Sequence, residues 1–405
     1  MNAAGVVVEY NPFHNGHLHH LIETKKSTKA DIIVAVMSGY FLQRGEPAIV
    51  SKWARAEMAL KAGIDIVVEL PYPFATQHAE TFAFGSIAIL DALGCDSFCF
   101  GSEGGNITSF THTIEMIEEN KQQYNAMIQS FIKDGMSYPS ALANAFKTLD
   151  KKMEAVDLSQ PNNILGYHYI EAKHKLKSSI TPFTISRKSA QYHDPQFSSE
   201  TIASATSIRK NVFDNKMDLS QTRELVPKTS IDILEQYRRR FGQFHAWETY
   251  WSLFQYKVIS STIHELRSIY EIEEGIEYRI KACVKEAKSF NEFMNKVKTK
   301  RYTWTRLQRM ALHILTNTKK EDMLKLQEYP NYIRLLGMTG SGREYLNRIK
   351  KQLPIPLISN WSSIGEEQKY LDMKAAEIYA LGLQNPKSRE DLLKQEWKQP
   401  PIILE

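Results

Sequence analysis

The stretch VVVEYNPFHNGHLHHLIE, residues 6–23, decides the fold. Ala3–Val8 is an apolar run of strand length. Asn11-Pro12 breaks it, and Gly16–Lys25 then carries apolar residues at helical spacing. His14 and His17 flank Asn15-Gly16 at the handover from strand to helix. The first turn of a helix has N–H groups without intrahelical partners and is electropositive, so it suits a phosphate. Gly16 has no Cβ and lets the backbone approach a nucleotide. Two imidazoles can donate to the non-bridging oxygens of a phosphate under attack. The bland alternative is a turn with surface histidines. The placing of H-x-G-H after a strand and before a helix favours a nucleotide site.

The next hundred residues keep the same alternation. DIIVAVM (31–37), IDIVVEL (64–70) and DSFCF (96–100) are β-branched or aromatic runs, and the last ends at Gly101. SKWARAEMALKA (51–62) between them opens with a serine cap and has helical period. Strands apolar on both faces and separated by helices predict an α/β fold with a doubly wound parallel sheet. Residues 107–177 read as mostly helical, Thr181–Ile185 as a strand, and Ser204–Phe213 as a capped helix. Asp214–Thr222 is polar and reads as a hinge. Beyond it the pattern is helical almost throughout, which predicts a first domain over 1–217 and a mostly α-helical domain over 218–405. Gly337–Gly342 (GMTGSG) lacks the ending of a phosphate loop and reads as a flexible turn between helices.

Composition bounds the rest. The chain has 405 residues, 42% hydrophobic and 24% charged, enough for two or three cores. No apolar run approaches the roughly 20 residues that cross a bilayer, and no signal peptide is evident. No membrane association is expected. Cys95, Cys99 and Cys283 fit no zinc or disulfide pattern. Reduced, buried thiols and a cytoplasmic location are expected. The net charge of +5 is compatible with a polyanionic partner.

A second motif joins H-x-G-H. Ser204-Ala205-Thr206-Ser207-Ile208-Arg209 starts a late helix, where the Ser and Thr can cap it and Arg209 can reach the β- and γ-phosphates. The two motifs together resemble the nucleotidyltransferase superfamily. The likeness narrows with V-x-E-Y-N-P-F-H-N-G-H, then Met37–Ala48 (MSGYFLQRGEPA), Phe100-Gly101-Ser102-Glu103, Pro161–Gly166 (PNNILG) and Ser186-Arg187. These blocks resemble the tRNA(Met) cytidine acetate ligase family and span the whole first half. The chain departs from that pattern at Tyr40, where the family commonly has Asn.

The resemblance implies a Rossmann-like nucleotidyltransferase domain and a two-step reaction. Acetate attacks the α-phosphate of ATP, giving acetyl-adenylate and pyrophosphate. N4 of the wobble cytidine in elongator tRNA(Met) then takes the acetyl group. It also implies a site. Val7, Val8, Glu9, Tyr10, Asn11, Pro12, Phe13, His14, Asn15, Gly16, His17, Leu18, His19 and His20 would wrap the ATP. Gly101, Asn162, Arg187, Lys188 and Ser207 would complete its binding, with His14, His17 and Arg209 as the catalytic set. Mg²⁺ is expected to travel with ATP, held mainly by its phosphates, with no metal ligands from the protein. Gln43 and Arg44 lie on the same rim, while Lys52 and Arg55 read equally as a solvated helix face. Lys296–Arg309 (KVKTKRYTWTRLQR) and Arg238–Arg240 are the candidate RNA-binding stretches, with Tyr302 and Trp304 to stack on bases. Two other readings stay open: a metabolite adenylyltransferase, and an RNA-binding protein with a vestigial nucleotide site.

Overall fold

The computed structural model of the chain describes residues 1–149, 155–186 and 203–405. Strand β1 (Ala3–Val8) leads into helix α1 (Asn15–Thr28), β2 (Ile32–Ser38) into α2 (Lys52–Lys61), and β3 (Ile66–Leu70) into α3 (Tyr72–Ala75) and α4 (Ala79–Ala92). β4 (Ser97–Ser102) is followed by α5 (Ile107–Glu119), α6 (Lys121–Lys133), α7 (Tyr138–Leu149) and α8 (Pro161–Leu176). Then come β5 (Thr181–Ser186) and α9 (Ala205–Asp214). These five strands lie parallel in the order β5-β4-β1-β2-β3. The chain winds outward from β1 through β2 to β3, then returns to the other side of β1 with β4. The switch point therefore falls between β1 and β4, and ligands in such sheets sit beyond the carboxyl ends of the strands there.

Every residue of β2 and β3 is buried, because helices cover both faces of the sheet. Ala4, Val6, Val8, Ile33, Ala35 and Met37 point to the face covered by α1 and α2. Ile32, Val34 and Val36 point to the face covered by α4 and α8. At Gly166 of α8, an added Cβ would lie 2.3 Å from the Phe100 ring, so the glycine lets α8 press onto β4. The three cysteines are free thiols and buried. Among the described residues no helix is long and apolar enough to cross a membrane.

Helices dominate the second half: α10 (Lys228–Phe241), α11 (Trp247–Ser260), α12 (Ile263–Arg267), α13 (Ile276–Glu286), α14 (Phe290–Val297), α15 (Trp304–Leu315) and α16 (Lys320–Leu326). The remainder departs from the all-helical pattern. β6 (Ile333–Thr339) pairs antiparallel with β3. After α17 (Gly340–Ile349), β7 (Leu357–Ile358) pairs with β6. After α18 (Glu366–Leu381) and α19 (Pro386–Lys398), β8 (Ile402–Leu404) also pairs with β6. The glycine run at 337–342 is thus not an inter-helix turn. Gly337 to Thr339 complete a strand, and Thr339 caps α17 by accepting from the Gly342 N–H. An added Cβ on Gly342 would lie 2.3 Å from the Asp65 carbonyl oxygen, so close backbone approach explains that glycine.

Candidate active site at the switch point of the sheet

The expected strand-to-helix turn forms at the end of β1. His14 is the N-cap of α1, and its Nδ1 accepts from the Gly16 N–H at 3.0 Å. The Nδ1 of His17 accepts from the His14 N–H at 3.3 Å, which completes a capping box built from two histidines. The two rings stack with centroids 3.8 Å apart. A ring nitrogen that accepts carries no proton, so each neutral imidazole holds its proton on Nε2. Tyr10 sets its ring edge-on to both Phe13 and His17, at 4.7 and 4.9 Å, which fixes the tilt of His17. Tyr10 itself has φ of 49°, the left-handed region, and the Asn11–Pro12 bond is cis.

Two segments brace this turn. The Asn15 N–H donates to the Leu225 carbonyl at 3.1 Å, and its side-chain amide to the Glu224 carbonyl at 2.8 Å. The loop after β2 forms the other brace. Phe41 and Pro47 form an antiparallel bridge, and the Gln43 N–H donates to Glu9 Oε1 at 2.7 Å. The Ile49 N–H donates to the Asn11 side-chain oxygen at 2.7 Å. Burial pushes the Glu9 carboxyl up, against the pull of the Gln43 N–H and of Arg44. Arg209, from α9, reaches the same place. It donates to the Asn11 carbonyl at 2.9 Å and pairs with Glu46 at 2.6 Å. Ser207 lies in the first turn of α9; its N–H donates to Ser204 Oγ at 3.1 Å.

On the far side of the switch point, Gly101 pairs with Ile185 near the end of β4. Asn162 opens α8 beside it. Its side-chain amide donates to Glu103 at 2.6 Å, and the Asn163 N–H to the other oxygen of Glu103 at 2.8 Å. Glu103 is therefore the anion at the α8 N-terminus. Val7, Val8, Pro12, Leu18, His19 and His20 complete the segment, with Val8 and Pro12 buried and both histidines half-exposed on α1. Arg187 and Lys188 lie outside the described residues. His14, His17 and Arg209 are thus brought onto one turn, and Gly101 and Asn162 onto the neighbouring strand end.

Lys52 and Arg55 are not a solvated face: both are fully buried. Arg55 donates to the carbonyls of Glu9 at 2.6 Å, of Ser38 at 3.0 Å and of Gly39. It ties the carboxyl ends of β1 and β2 together, and burial lowers its pKa to about 10. Lys52 bonds Glu69 of β3 at 2.7 Å and Glu396 of α19 at 2.9 Å. Arg334 of β6 pairs with the same two carboxylates. Tyr40 donates to Glu396 at 2.8 Å, and Trp361 to the other oxygen of Glu396 at 2.9 Å. Two cations and two carboxylates thus balance inside the protein. Tyr40 belongs to this cluster and not to the rim. The sequence held one signal for it: Glu69 is a charge inside a strand buried on both faces, and such a charge demands a cation.

The basic stretch 296–309 is largely neutralised. Arg301 pairs with Glu274 at 2.9 Å, Arg306 with Glu273 at 3.7 Å, and Arg309 with Glu271 at 2.9 Å. Lys296 pairs with Glu286 at 3.3 Å. In the other candidate stretch, Arg239 pairs with Glu235 at 3.3 Å.

The parallel sheet, its switch point and the histidine-capped helix define a nucleotidyltransferase of the H-x-G-H class. The family model described as HIGH Nucleotidyl Transferase matches residues 1–394. A tRNA(Met) cytidine acetate ligase of Geobacillus sp. is 50% identical over 404 residues, covering 100% of both chains. That of Bacillus licheniformis is 49% identical, covering 99% of this chain and 97% of its own. The chain belongs to the tRNA(Met) cytidine acetate ligase family. The crystal structure of Thermotoga maritima TmcAL without ligand superposes with a TM-score of 0.91 at 34% identity, covering 100% of both chains. The structure of the same protein bound with alpha-thio ATP gives 0.89 at 33% identity, again over 100% of both.

Proposed function

We propose that the protein activates acetate with ATP and transfers the acetyl group to N4 of the wobble cytidine of elongator tRNA(Met). The observation that carries this reading is the stacked pair His14 and His17, each with Nδ1 committed to a backbone N–H at the head of α1. Their Nε2 donors and the α1 N-terminus stabilise charge on the α-phosphate as acetate attacks. The α–β phosphoanhydride bond breaks, and pyrophosphate leaves. In the second step the cytosine amine attacks the acetyl carbon, loses its proton, and expels AMP. A free carboxylate is inert to an aromatic amine, so activation must come first. Arg209 receives the β- and γ-phosphates. Residues 7–20 and Ser207, with Gly101 and Asn162 across the switch point, hold the nucleotide, joined by Arg187 and Lys188. Mg²⁺ enters with ATP. The phosphates hold most of its coordination sphere. Residues 1–217 do the adenylation, and residues 218–405 receive the tRNA.

Exchange of labelled pyrophosphate into ATP tests the reading. Exchange should require acetate and proceed without tRNA. Exchange that ignores acetate would move the protein to another acceptor.

A further inference from the structure

In the basic stretches that stand out in the sequence, Lys296, Arg301, Arg306, Arg309 and Arg239 are paired with acids, whereas Lys319 and Lys374 elsewhere donate to neutral groups. Lys257 of α11, Lys319 at the N-cap of α16 and Lys374 of α18 come from three separate elements. Lys374 Nζ donates to the Asn317 carbonyl at 3.2 Å, and Lys319 Nζ to Ser268 Oγ at 2.9 Å. These partners are neutral, and they flank one turn, residues 317–319. Lys257 feels the charges of both: burial, then Lys319 and Lys374, lower its pKa against the pull of Glu265. Glu265 is the acid that faces Lys257 and Lys319, and it is already committed to the N–H and hydroxyl of Thr262. One aromatic face lies against the cluster: Tyr370 is under Lys374 at 4.2 Å and is 46% exposed.

We infer that Lys257, Lys319 and Lys374, with Tyr370, form the surface that grips RNA, in place of the stretch 296–309. The inference rests on the functional reading above and supplies its missing contact surface. Gathered like charges repel, and an arriving polyanion removes that cost. Phosphates match the ammonium groups, and an unpaired base matches the Tyr370 face. An acidic protein would use the charges but not the exposed ring. The location also fits. Thr316, one residue before Asn317, contacts the Tyr72 hydroxyl at 3.0 Å, and α3 begins directly after β3. The cluster therefore lies toward the carboxyl end of β3, and His14 and His17 follow the carboxyl end of the parallel strand β1.

The test is a Lys257→Gln, Lys319→Gln, Lys374→Gln variant of the full chain, titrated with an elongator tRNA(Met) transcript across a salt series. Affinity should fall at least about tenfold near 0.1 M salt, and the slope of log K against log salt should shrink by about two. Acetate-dependent pyrophosphate exchange should persist, which shows that the variant folds. Lys374→Glu alone should give a smaller loss in the same direction. Arg301→Gln with Arg306→Gln should leave the slope unchanged. An unaltered affinity and slope in the triple variant, with wild type binding the transcript, would overturn the inference. A wild-type protein that binds RNA without acetylating it would overturn the functional reading, and the slopes would still decide the surface. A wild-type protein with no affinity for any RNA would overturn both.

Discussion

Arg209 and Glu46 form an ion pair at 2.6 Å across the mouth of the β1 turn, while the other arm of Arg209 holds the Asn11 carbonyl at 2.9 Å. The carboxylate occupies the arm that a phosphate would take. The pair couples α9 to the loop after β2. That loop is in turn fixed by the helical half: Trp247 donates to the Gly45 carbonyl at 2.9 Å, and Gln308 to the Arg44 carbonyl at 2.9 Å. Gly45 has φ of +74°, and an added Cβ would lie 2.6 Å from the Arg309 nitrogen, so only glycine fits there. Arg209→Gln should lower kcat/KM for ATP by about 10²-fold in pyrophosphate exchange. Glu46→Gln should lower KM for ATP several-fold, because Arg209 no longer has to exchange one anion for another. A raised KM would show that Glu46 aims the arginine instead of competing for it.

His17→Ala removes one donor and the partner of the stacked pair. Adenylate formation should fall by about 10²- to 10³-fold. Affinity for tRNA, measured by titration, should hold within about twofold. Parallel loss of both would mean that the turn also contacts the RNA.

Lys52→Met leaves Glu69 and Glu396 sharing Arg334 alone. Breaking a buried pair from one side costs about 3–5 kcal/mol, which denaturant unfolding would read as a lower midpoint. Glu396 adds an acid-side signature. Burial raises its pKa, but Arg334 and Lys52 outweigh burial and hold it at about 2. A depressed carboxyl contributes stability above its unfolded value, near 4.5, and that contribution is lost as pH falls toward 2. The loss across this window should be smaller in Lys52→Met.

Asp372 titrates in the opposite sense. Burial and then the charge of Glu69 raise its pKa to about 7, although the Tyr72 N–H at 2.8 Å and the Tyr332 hydroxyl at 2.6 Å both donate to it. The native state keeps a proton that the unfolded chain gives up near pH 4. Stability therefore declines as pH climbs from about 4 to about 7 on account of this group, then levels. Asp372→Asn should flatten the decline, as measured by denaturant midpoints across that range. An unchanged profile would assign it to other groups.

The five parallel strands and the histidine turn were legible because their signals are local: β-branched runs, Asn-Pro, a glycine and a cap. β6 to β8 were not. IRLLGMT is a short apolar run whose period does not separate strand from buried helix, and β7 and β8 span two and three residues. β6 pairs with β3, more than two hundred positions upstream, and β7 and β8 depend in turn on β6. The same distance hid the roles of Lys52 and Tyr40, whose carboxylate partner Glu396 lies more than three hundred positions on. A charge on an amphipathic helix looks alike in sequence whether water or a distant glutamate faces it. The acid partners of the basic run at 296–309 were hidden in the same way, since Glu271, Glu273 and Glu274 lie upstream and fold back onto it.

The antiparallel seam between β3 and β6 orders events at the ribosome. While residues up to about 330 emerge, β3 has an open edge, and Lys52 and Glu69 wait for Arg334 and Glu396. The nucleotide half is sealed only when α19 has left the exit tunnel. A fragment that ends before β6 thus presents an unpaired strand border and a buried charge cluster without Arg334 and Glu396.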